Sequence, residues 1–462
     1  MKYGKLLSIL VVLSVLLTVA VPAFAQDPTP KPQPWLKRWD GVNLNVSTHT
    51  GPNTNAYKKL AKEFEQLTGA KVTIIDESWT DLLSKHMAAS AAKTGAYDLL
   101  TWAYLWMGQY VEGDMIENLN DWFAKKDLVD PNYDMNDFVP AILEAYGRYK
   151  TGFFKDPSAL WSVPYKFDIY LSQYRKDLFK EAGIVDEKGE AKPPATWDEL
   201  LADMKLIVAK HPEMKPAAFP LAVDDPMVST FLPIFASYGG TLPLPWYDAN
   251  LYPQVQGEAG VKAAEALKAL IPYMPKDALS MDFDMVNAYM AQGLGAYGIN
   301  WNAYLPVLLD PKQSKIADNV GFDLTPGGPN GRPQGLGGWD MGISKDSKNK
   351  EAAFQLLQYL TGKERGPALA LAGGSVARTS TLQDPAVVKA FPYYPLLLKA
   401  LDKLAARGMD RSWPEVQRTL GVGLNKVLMG EDTQKTLTDT AREVFKQVQT
   451  AGYTPDKTGP MP

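Results

Sequence analysis

The sequence contains no cysteine among its 462 residues. This absence excludes disulfide bonds, zinc–thiolate sites and thiol nucleophiles. It also excludes the lipid anchor that bacterial lipoproteins carry on an N-terminal cysteine. We therefore expect a protein that is not a lipoprotein.

Histidine is nearly as scarce, and the three that occur are His49, His86 and His211. No H-E-x-x-H metal motif and no G-x-x-x-x-G-K-[ST] phosphate loop occurs, and "GGSVA" at 373–377 lacks the second glycine of the G-x-S-x-G nucleophile motif. A carboxylate pair of the glycosidase type stays open, because any two acidic residues can meet in space. We expect no catalytic residues, no metal site and no cofactor, with a secreted glycoside-processing enzyme as an alternative.

Long basic or apolar segments are also missing. Lys and Arg total 48 against 52 Asp and Glu, with no Lys/Arg-rich block, which argues against a nucleic-acid partner. An apolar run at 6–20 follows Lys2 and Lys5 and precedes an Ala-x-Ala site at 23–25. It is shorter than the roughly 20 apolar residues that span a bilayer. This pattern predicts a signal peptide at 1–25, with secretion across the cytoplasmic membrane to a periplasm or the cell surface.

The chain after the predicted signal peptide alternates between strand-like and helix-like patterns. Prolines at 28, 30, 32 and 34 favour an extended tether over 26–39. About 420 further residues are too many for one compact core, so we expect two domains. "GVNLNVST" reads as a strand, Tyr57 to Leu67 as a helix, "AKVTII" as a strand, Asp81 to Lys93 as a helix and "YDLLTW" as a strand. This order predicts an α/β fold with parallel strands.

Aromatic residues are abundant, with 12 Trp and 22 Tyr. Four clusters that mix aromatic and polar residues lie at the ends of strand-like runs: "TWAYLW" with Trp102 and Tyr104, "VPYKFD" with Tyr165 and Asp168, "NWNAY" with Asn300 and Trp301, and "GGWD" at 337–340. That edge of an open α/β sheet is where ligands bind. A sugar site needs stacking rings beside hydrogen-bonding groups, and small-molecule clefts generally combine these. Packing in the core is the alternative for each ring.

Four longer segments carry a family resemblance. They are "VPYKFDIYLSQYRKDLFKEAG", "PPATWDELLADMKLI", "GGWDMGISKDSKNKEAAFQLLQYLTG" and "GGSVARTS". In this order and spacing, the chain from about 42 to 448 resembles the bacterial extracellular solute-binding proteins of carbohydrate ABC transporters, the family that includes maltose-binding protein. "AYLW" departs from the charged residues that maltose-binding protein has beside its tryptophan, which indicates a more aromatic wall.

The resemblance implies a two-lobe periplasmic-binding-protein fold, type II-like, that closes on its ligand. Each lobe is discontinuous, with hinge crossings near 164–168, 325–331 and 361–365. We expect the first lobe to comprise 40–164 and 326–362. The second lobe is expected to comprise 165–325 and 363–462, with a helical C-terminal part.

The same resemblance implies a set of ligand-binding residues. Asp168 matches an acidic position that bonds sugar hydroxyls, and Trp102, Trp301 and Trp413 match aromatic wall positions. The other positions are Asn300 beside Trp301, the glycines before Trp339 including Gly338, Trp339 and Asp340, Arg378 in "GGSVARTS", and His49 and Thr50 in the first strand-to-helix loop. Because neighbours on a strand point to opposite faces, Trp339 and Asp340 are not both expected to face a ligand.

The implied partners are a small-molecule carbohydrate, a di- or oligosaccharide, and the membrane permease subunits of an ABC importer, with the protein acting as a monomer. A polyol or a glycerol phosphodiester is an alternative solute. A phosphate group would need converging cations, for which the expected cleft offers Lys166 and Arg378. A structural or surface-layer role is the remaining alternative.

Overall fold

The computed structural model of the protein describes residues 30–454, except 52–53, 150–155, 157, 243 and 249–250. The predicted signal peptide at 1–25 and the start of the predicted tether lie outside the described residues. The strands are Asn43–His49 (β1), Lys71–Glu77 (β2), Leu99–Ala103 (β3), Val163–Arg175 (β4), Ala217–Ala218 (β5), Tyr297–Trp301 (β6), Val320–Leu324 (β7), Gln334–Ile343 (β8) and Leu404–Ala405 (β9).

Helices cover most of the remaining described chain. They are Thr54–Thr68 (α1), Trp79–Ala91 (α2), Met107–Glu112 (α3), Leu119–Phe123 (α4), Pro140–Gly147 (α5), Lys176–Glu181 (α6), Trp197–Lys210 (α7), Asp225–Ser237 (α8), Glu258–Leu270 (α9), Phe283–Ala291 (α10), Pro306–Leu309 (α11), Lys350–Thr361 (α12), Gly366–Leu371 (α13), Thr379–Leu382 (α14), Pro385–Ala390 (α15), Tyr394–Ala400 (α16), Trp413–Leu428 (α17) and Thr433–Thr450 (α18). None of these described helices combines the length and apolar character that a membrane crossing requires.

The first five elements follow the pattern that the sequence predicts. Strand β1 pairs in parallel with β2 and with β3, and helices α1 and α2 connect them. Helix α1 buries Tyr57, Leu60 and Phe64 at helical spacing. Gly69 follows it with φ +82°, a conformation that glycine adopts without steric cost. The predicted α/β fold class is confirmed.

Two long strands join the two halves of the sheet. The strand order is β2-β1-β3-β8-β4-β6-β5, with β7 also on β4 and β9 on β8. The first part of β4 pairs antiparallel with β8, while residues 170–175 pair with β6 and β7. Strand β8 pairs on its other side with β3. We call β4 and β8 the crossing strands, and the predicted crossing at 164–168 lies on the first of them.

The exact lobe boundaries stay a prediction. The segment after α12 contacts the half of the sheet that carries α1. Arg378 in this segment donates hydrogen bonds to the backbone carbonyls of Thr361 and Tyr133. Near the start of the described chain, Trp35 and Trp39 bond to α12. The Trp39 indole donates a hydrogen bond to the Gln355 side chain, and the Gln355 amide donates one to the Trp35 carbonyl. The last residues of the predicted tether are therefore held against α12.

Candidate functional site

One face of the crossing strands combines a cation, an acid and a ring. Lys166 and Asp168 are two residues apart on β4 and so point to the same face. Their partners on β8 are Trp339 and Gly337, respectively. We call this surface the site face. It lies where the two halves of the sheet meet.

Gly337 leaves room on the site face for Trp301, the last residue of β6. A Cβ atom at Gly337 would lie 2.8 Å from Cζ3 of Trp301, so the indole covers the space that a side chain would fill. The Trp301 ring meets Tyr170 edge-on at 4.3 Å. Asn300 accepts a hydrogen bond from the Trp301 backbone N–H at 2.9 Å and donates one to the Phe283 carbonyl. Predicted site residue Asn300 thus positions Trp301.

Trp339 belongs to a cluster of four rings, His49, Trp79, Trp106 and Trp339, which we call the aromatic cluster. His49, at the end of β1, stacks on Trp339 with ring centroids 4.3 Å apart. Trp79 and Trp106 meet Trp339 edge-on at 5.7 and 6.3 Å and pack on each other at 4.5 Å. Ala103 is the β3 partner of Trp339, and its small side chain leaves space for the indole to reach these rings.

His49 is electrically neutral in this setting. Burial, assisted by the nearby Lys166 ammonium, lowers the pKa of His49 to about 3. Its Nδ1 atom is buried and has no hydrogen-bond partner among the described residues. Thr50 follows as an exposed residue, and its backbone N–H donates to the Glu77 carbonyl. Of the predicted pair His49 and Thr50, His49 belongs to the aromatic cluster.

Asp168 is oriented by a chain of hydrogen bonds. Ser375 Oγ donates to the Asp168 carboxylate at 3.2 Å, and the Asn302 amide donates to Ser375 Oγ at 2.8 Å. Asn302 also accepts from the backbone N–H of Ile169. Burial raises the pKa of Asp168, while the Lys166 ammonium opposes that shift. The carboxylate is held in place as an acceptor on the site face.

Arg407 brings a second cation to the same region, beside Trp301. Its guanidinium lies 5.3 Å from the Trp301 ring centroid and pairs with the Asp225 carboxylate at the start of α8. Nη1 also donates to Ser229 Oγ at 3.3 Å. Burial alone would lower the pKa of Arg407, but Asp225 and Tyr104 together outweigh burial and raise that pKa. Arg407 is thus a buried, fully charged and paired cation.

Predicted site residue Tyr104 lies between Arg407 and β8. Its hydroxyl accepts a hydrogen bond from the Arg407 backbone N–H at 2.7 Å and donates one to the Leu336 carbonyl of β8. The Tyr104 ring itself is fully buried and stacks on Tyr146. Tyr104 therefore ties Arg407 to a crossing strand.

The sequence patterns missed Arg407, Asp225 and Trp79. Arg407 and Asp225 are 182 residues apart, and neither lies in a cluster that mixes aromatic and polar residues. Their only local signals are an arginine in the apolar run "LAARGM" and a doubled acid in "VDDP". The sequence indicates Lys166 only as a cation for a phosphate group, and the structure places it at the centre of the site face.

Three predicted residues, one on β3 and two on β8, point away from the site face. Trp102 is fully buried and stacks on Tyr110 at 4.5 Å. Its β8 partner is Asp340, which accepts from Ser162 Oγ at 2.6 Å, and burial raises the pKa of Asp340 well above its usual range. A Cβ at Gly338 would meet the Tyr146 hydroxyl. Strand alternation puts these residues in the core, and the glycine that opens the site is Gly337.

Three further predicted residues lie elsewhere. Arg378 is fully buried and, besides its carbonyl contacts, covers the Phe138 ring at 3.6 Å. Trp413 begins α17, is fully buried and packs 5.9 Å from Trp246. Tyr165 stands at a register shift of β4, and its ring packs edge-on against Tyr57. We remove Arg378 and Trp413 from the candidate site, because the Arg378 guanidinium is hydrogen-bonded inside the fold and the Trp413 ring is packed there.

The site is suited to holding a small polar molecule. Two indoles, an ammonium and a carboxylate converge on strands that join the two halves. Among the residues that the structure describes, no group of three or more histidine or acidic side chains is arranged to hold a metal ion. Apolar rings with a few placed polar groups are the general composition of small-molecule sites.

The comparisons with known proteins agree with this composition. Residues 50–366 match the sequence model of the bacterial extracellular solute-binding proteins. A probable amino-acid ABC transporter periplasmic-binding protein of Sinorhizobium fredii is 27% identical over 82% of this chain and 82% of that protein.

Solved structures show the same architecture. An ABC transporter solute-binding protein of Agrobacterium radiobacter in complex with ribitol matches with a TM-score of 0.76 and 27% identity, over 90% of this chain and 100% of that chain. Maltose-bound MalE3 of T. maritima matches in fold with a TM-score of 0.75 and 23% identity, over 87% and 99%. These matches confirm the predicted two-lobe fold. The chain belongs to the bacterial extracellular solute-binding protein family.

Proposed function

We propose that the protein captures a sugar, a di- or oligosaccharide, on the site face and delivers it to the permease subunits of an ABC importer. The observation that carries the proposal is the placement of Trp301 and Trp339 on either side of Lys166 and Asp168. Sugar rings present apolar C–H faces to indoles and hydroxyls to charged acceptors and donors. Hydrogen bonds to a charged partner are the stronger ones.

The geometry favours a binding cycle without covalent chemistry. Trp339 and the aromatic cluster belong to one half of the sheet, and Trp301 with Arg407 and Asp225 belongs to the other. A solute that contacts both halves stabilises the conformer in which they are close. The protein then acts as a transport subunit rather than an enzyme. In this proposal it works as a monomer that is exported by the predicted signal peptide.

A polyol is the second candidate solute. The ribitol complex, at 27% identity over 90% of this chain, favours it. A linear polyol offers the same hydroxyls to Asp168 and Lys166 with less ring-stacking area. The two candidates therefore differ in how strongly they depend on the indoles.

A thermal-shift screen across sugars, polyols and amino acids tests the proposal. A true ligand at a hundredfold excess over Kd adds about 2.7 kcal/mol of apparent stability. If no sugar and no polyol raises the Tm of the protein, the proposal is contradicted. Turnover of an oligosaccharide during incubation contradicts the absence of catalysis.

Calorimetric titration of Trp301→Ala with the best ligand tests the site. We expect affinity to fall at least about tenfold, equivalent to ~1.4 kcal/mol. Trp35→Ala, far along the chain and packed near α12, is the matched control and should bind as the parent does. An affinity within about twofold of the parent removes Trp301 from the site.

A further inference from the structure

Lys166 is a largely buried lysine for which the described part of the chain provides no acceptor. Its residue is 7% exposed. Among the described residues, Nζ has no hydrogen-bond or ion-pair partner, and it lies 4.7 Å from the centroid of the Trp339 ring and 5.8 Å from that of the Tyr165 ring. Burial lowers the pKa of Lys166, and Asp168 opposes that shift. An ammonium without an ion-pair partner on the site face is available to a negative group of a bound solute, and a hydrogen bond between two charged groups is among the stronger ones.

The neighbouring described side chains do not pair with this ammonium. Asp168 accepts from Ser375 and lies beyond ion-pair distance of the ammonium. His49 is neutral, and its Nδ1 also lacks a partner within the described chain. Arg407 is already matched by Asp225. The Trp339 end of the site face therefore carries an ammonium without an ion-pair partner among the described residues, whereas the cation at the Trp301 end, Arg407, is paired with Asp225.

We propose that the solute is a sugar acid, whose single carboxylate pairs with Lys166 while its hydroxyls bond to Asp168. Uronates, aldonates and oligosaccharides that end in one belong to this class. The inference rests on the proposed function and specifies its substrate class. One ammonium acts as a point charge and suits one carboxylate, whereas a phosphate group is best held by a guanidinium fork. The Arg407 guanidinium beside the site face is already paired with Asp225.

Matched pairs of acid and neutral compounds test the proposal by isothermal titration calorimetry at low ionic strength. The pairs are glucuronate with glucose, gluconate with sorbitol, and maltobionate with maltitol; glucose 6-phosphate is added. We expect at least one acid to bind about tenfold or more tighter than its neutral partner, because charge-assisted hydrogen bonds are the stronger ones.

Each other outcome is decisive. If the neutral members bind as tightly as the acids or tighter, the sugar-acid proposal fails and the proposed function stands. If the phosphate ester binds tightest, the carboxylate assignment fails. If no sugar, polyol or acid binds in this set or in the wider screen, both proposals fail.

The Lys166→Met variant tests whether Lys166 causes the preference for the acid over its neutral partner. Methionine keeps an apolar stem against Trp339 and removes the charge. We expect the acid to lose its advantage over its neutral partner, while the Tm of the ligand-free protein does not fall. Lys345→Met is the matched control, since Lys345 is an exposed lysine paired with Asp114 at 3.3 Å; it should keep the preference. If Lys166→Met misfolds, Lys166→Gln replaces it, and an unchanged preference in either variant overturns the proposal.

Discussion

The two indoles of the site face stand in opposite electrostatic situations. Trp301 has the Arg407 guanidinium 5.3 Å from its ring, and that cation is neutralised by Asp225. Trp339 has the Lys166 ammonium 4.7 Å from its ring, and that cation has no partner among the described residues. The Arg407 charge is thus matched within the free protein, whereas the Lys166 charge is, in our proposal, matched by the bound solute. The first side should govern stability and the second side selectivity.

The largest expected effect comes from breaking the pair on the Trp301 side. Arg407→Met leaves the Asp225 carboxylate buried and unpaired. Removing one partner of a buried ion pair costs about 3–5 kcal/mol, so the free energy of unfolding should fall by that amount. Urea unfolding followed by far-ultraviolet circular dichroism measures it.

A double variant supplies the control for this prediction. Arg407→Met with Asp225→Leu removes both charges, and it should recover most of the lost stability because no charge stays buried alone. Lys166→Met, on the other side, should cost nothing. If Arg407→Met lowers the free energy of unfolding by less than about 1 kcal/mol, Arg407 and Lys166 do not differ in their contribution to stability.

A smaller effect should follow from filling the space under Trp301. Gly337→Ala places a Cβ 2.8 Å from the indole, so the ring must move. Overpacking of this kind costs about 1–3 kcal/mol, and affinity for the solute identified by screening should fall together with stability. Thermal unfolding and calorimetric titration report the two quantities.

Gly335→Ala is the matched control on the same strand and face. Its Cβ would lie 3.4 Å from the Tyr170 Cβ, an ordinary contact, so the parent affinity should be kept. Equal behaviour of the two variants would show that the indole position over Gly337 does not matter for binding.

The smallest effect concerns His49 and pH. Its pKa is about 3 in the folded protein against an ordinary 6.5, so the unfolded chain takes up the proton first as pH falls. The stability that neutral His49 contributes is complete above pH 6.5 and decreases toward pH 3. His49→Phe keeps a ring against Trp339 and removes the titration. Between pH 7 and pH 6 the variant should lose about 0.7 kcal/mol less stability than the parent does.

His211→Gln is the control, because His211 lies at the surface beside Glu181. It should reproduce the parent's pH profile in thermal unfolding. A His49 ring signal that titrates near neutral pH in NMR spectra would contradict the burial on which this prediction rests.

The fold was more predictable than the site, for physical reasons. Periodicity in "GVNLNVST", Tyr57 to Leu67 and "AKVTII" is local, and it predicted the β1–α1–β2 unit that the structure contains. The register shift at Tyr165 and the choice between Gly337 and Gly338 depend on pairing across β4 and β8. These pairs lie far apart in sequence, and no local pattern encodes them.

The individual site residues show the same limit. Trp102 and Trp106 stand in one aromatic segment, yet Trp102 is fully buried against Tyr110 while Trp106 joins the aromatic cluster. Composition alone cannot separate them, because the face is set by strand alternation and by where the strand ends. Arg407 could not be found at all, since its function depends on the distant Asp225.

The aromatic cluster also gives the protein an optical signal of its own. The indoles of Trp79 and Trp106 are 4.5 Å apart and inclined by 38°, close enough for their electronic transitions to couple and give a paired circular-dichroism band. Both rings touch Trp339 edge-on, so a solute that shifts Trp339 also changes that coupling. Occupancy of the site can therefore be followed in the unlabelled protein, without a dye or a competing ligand.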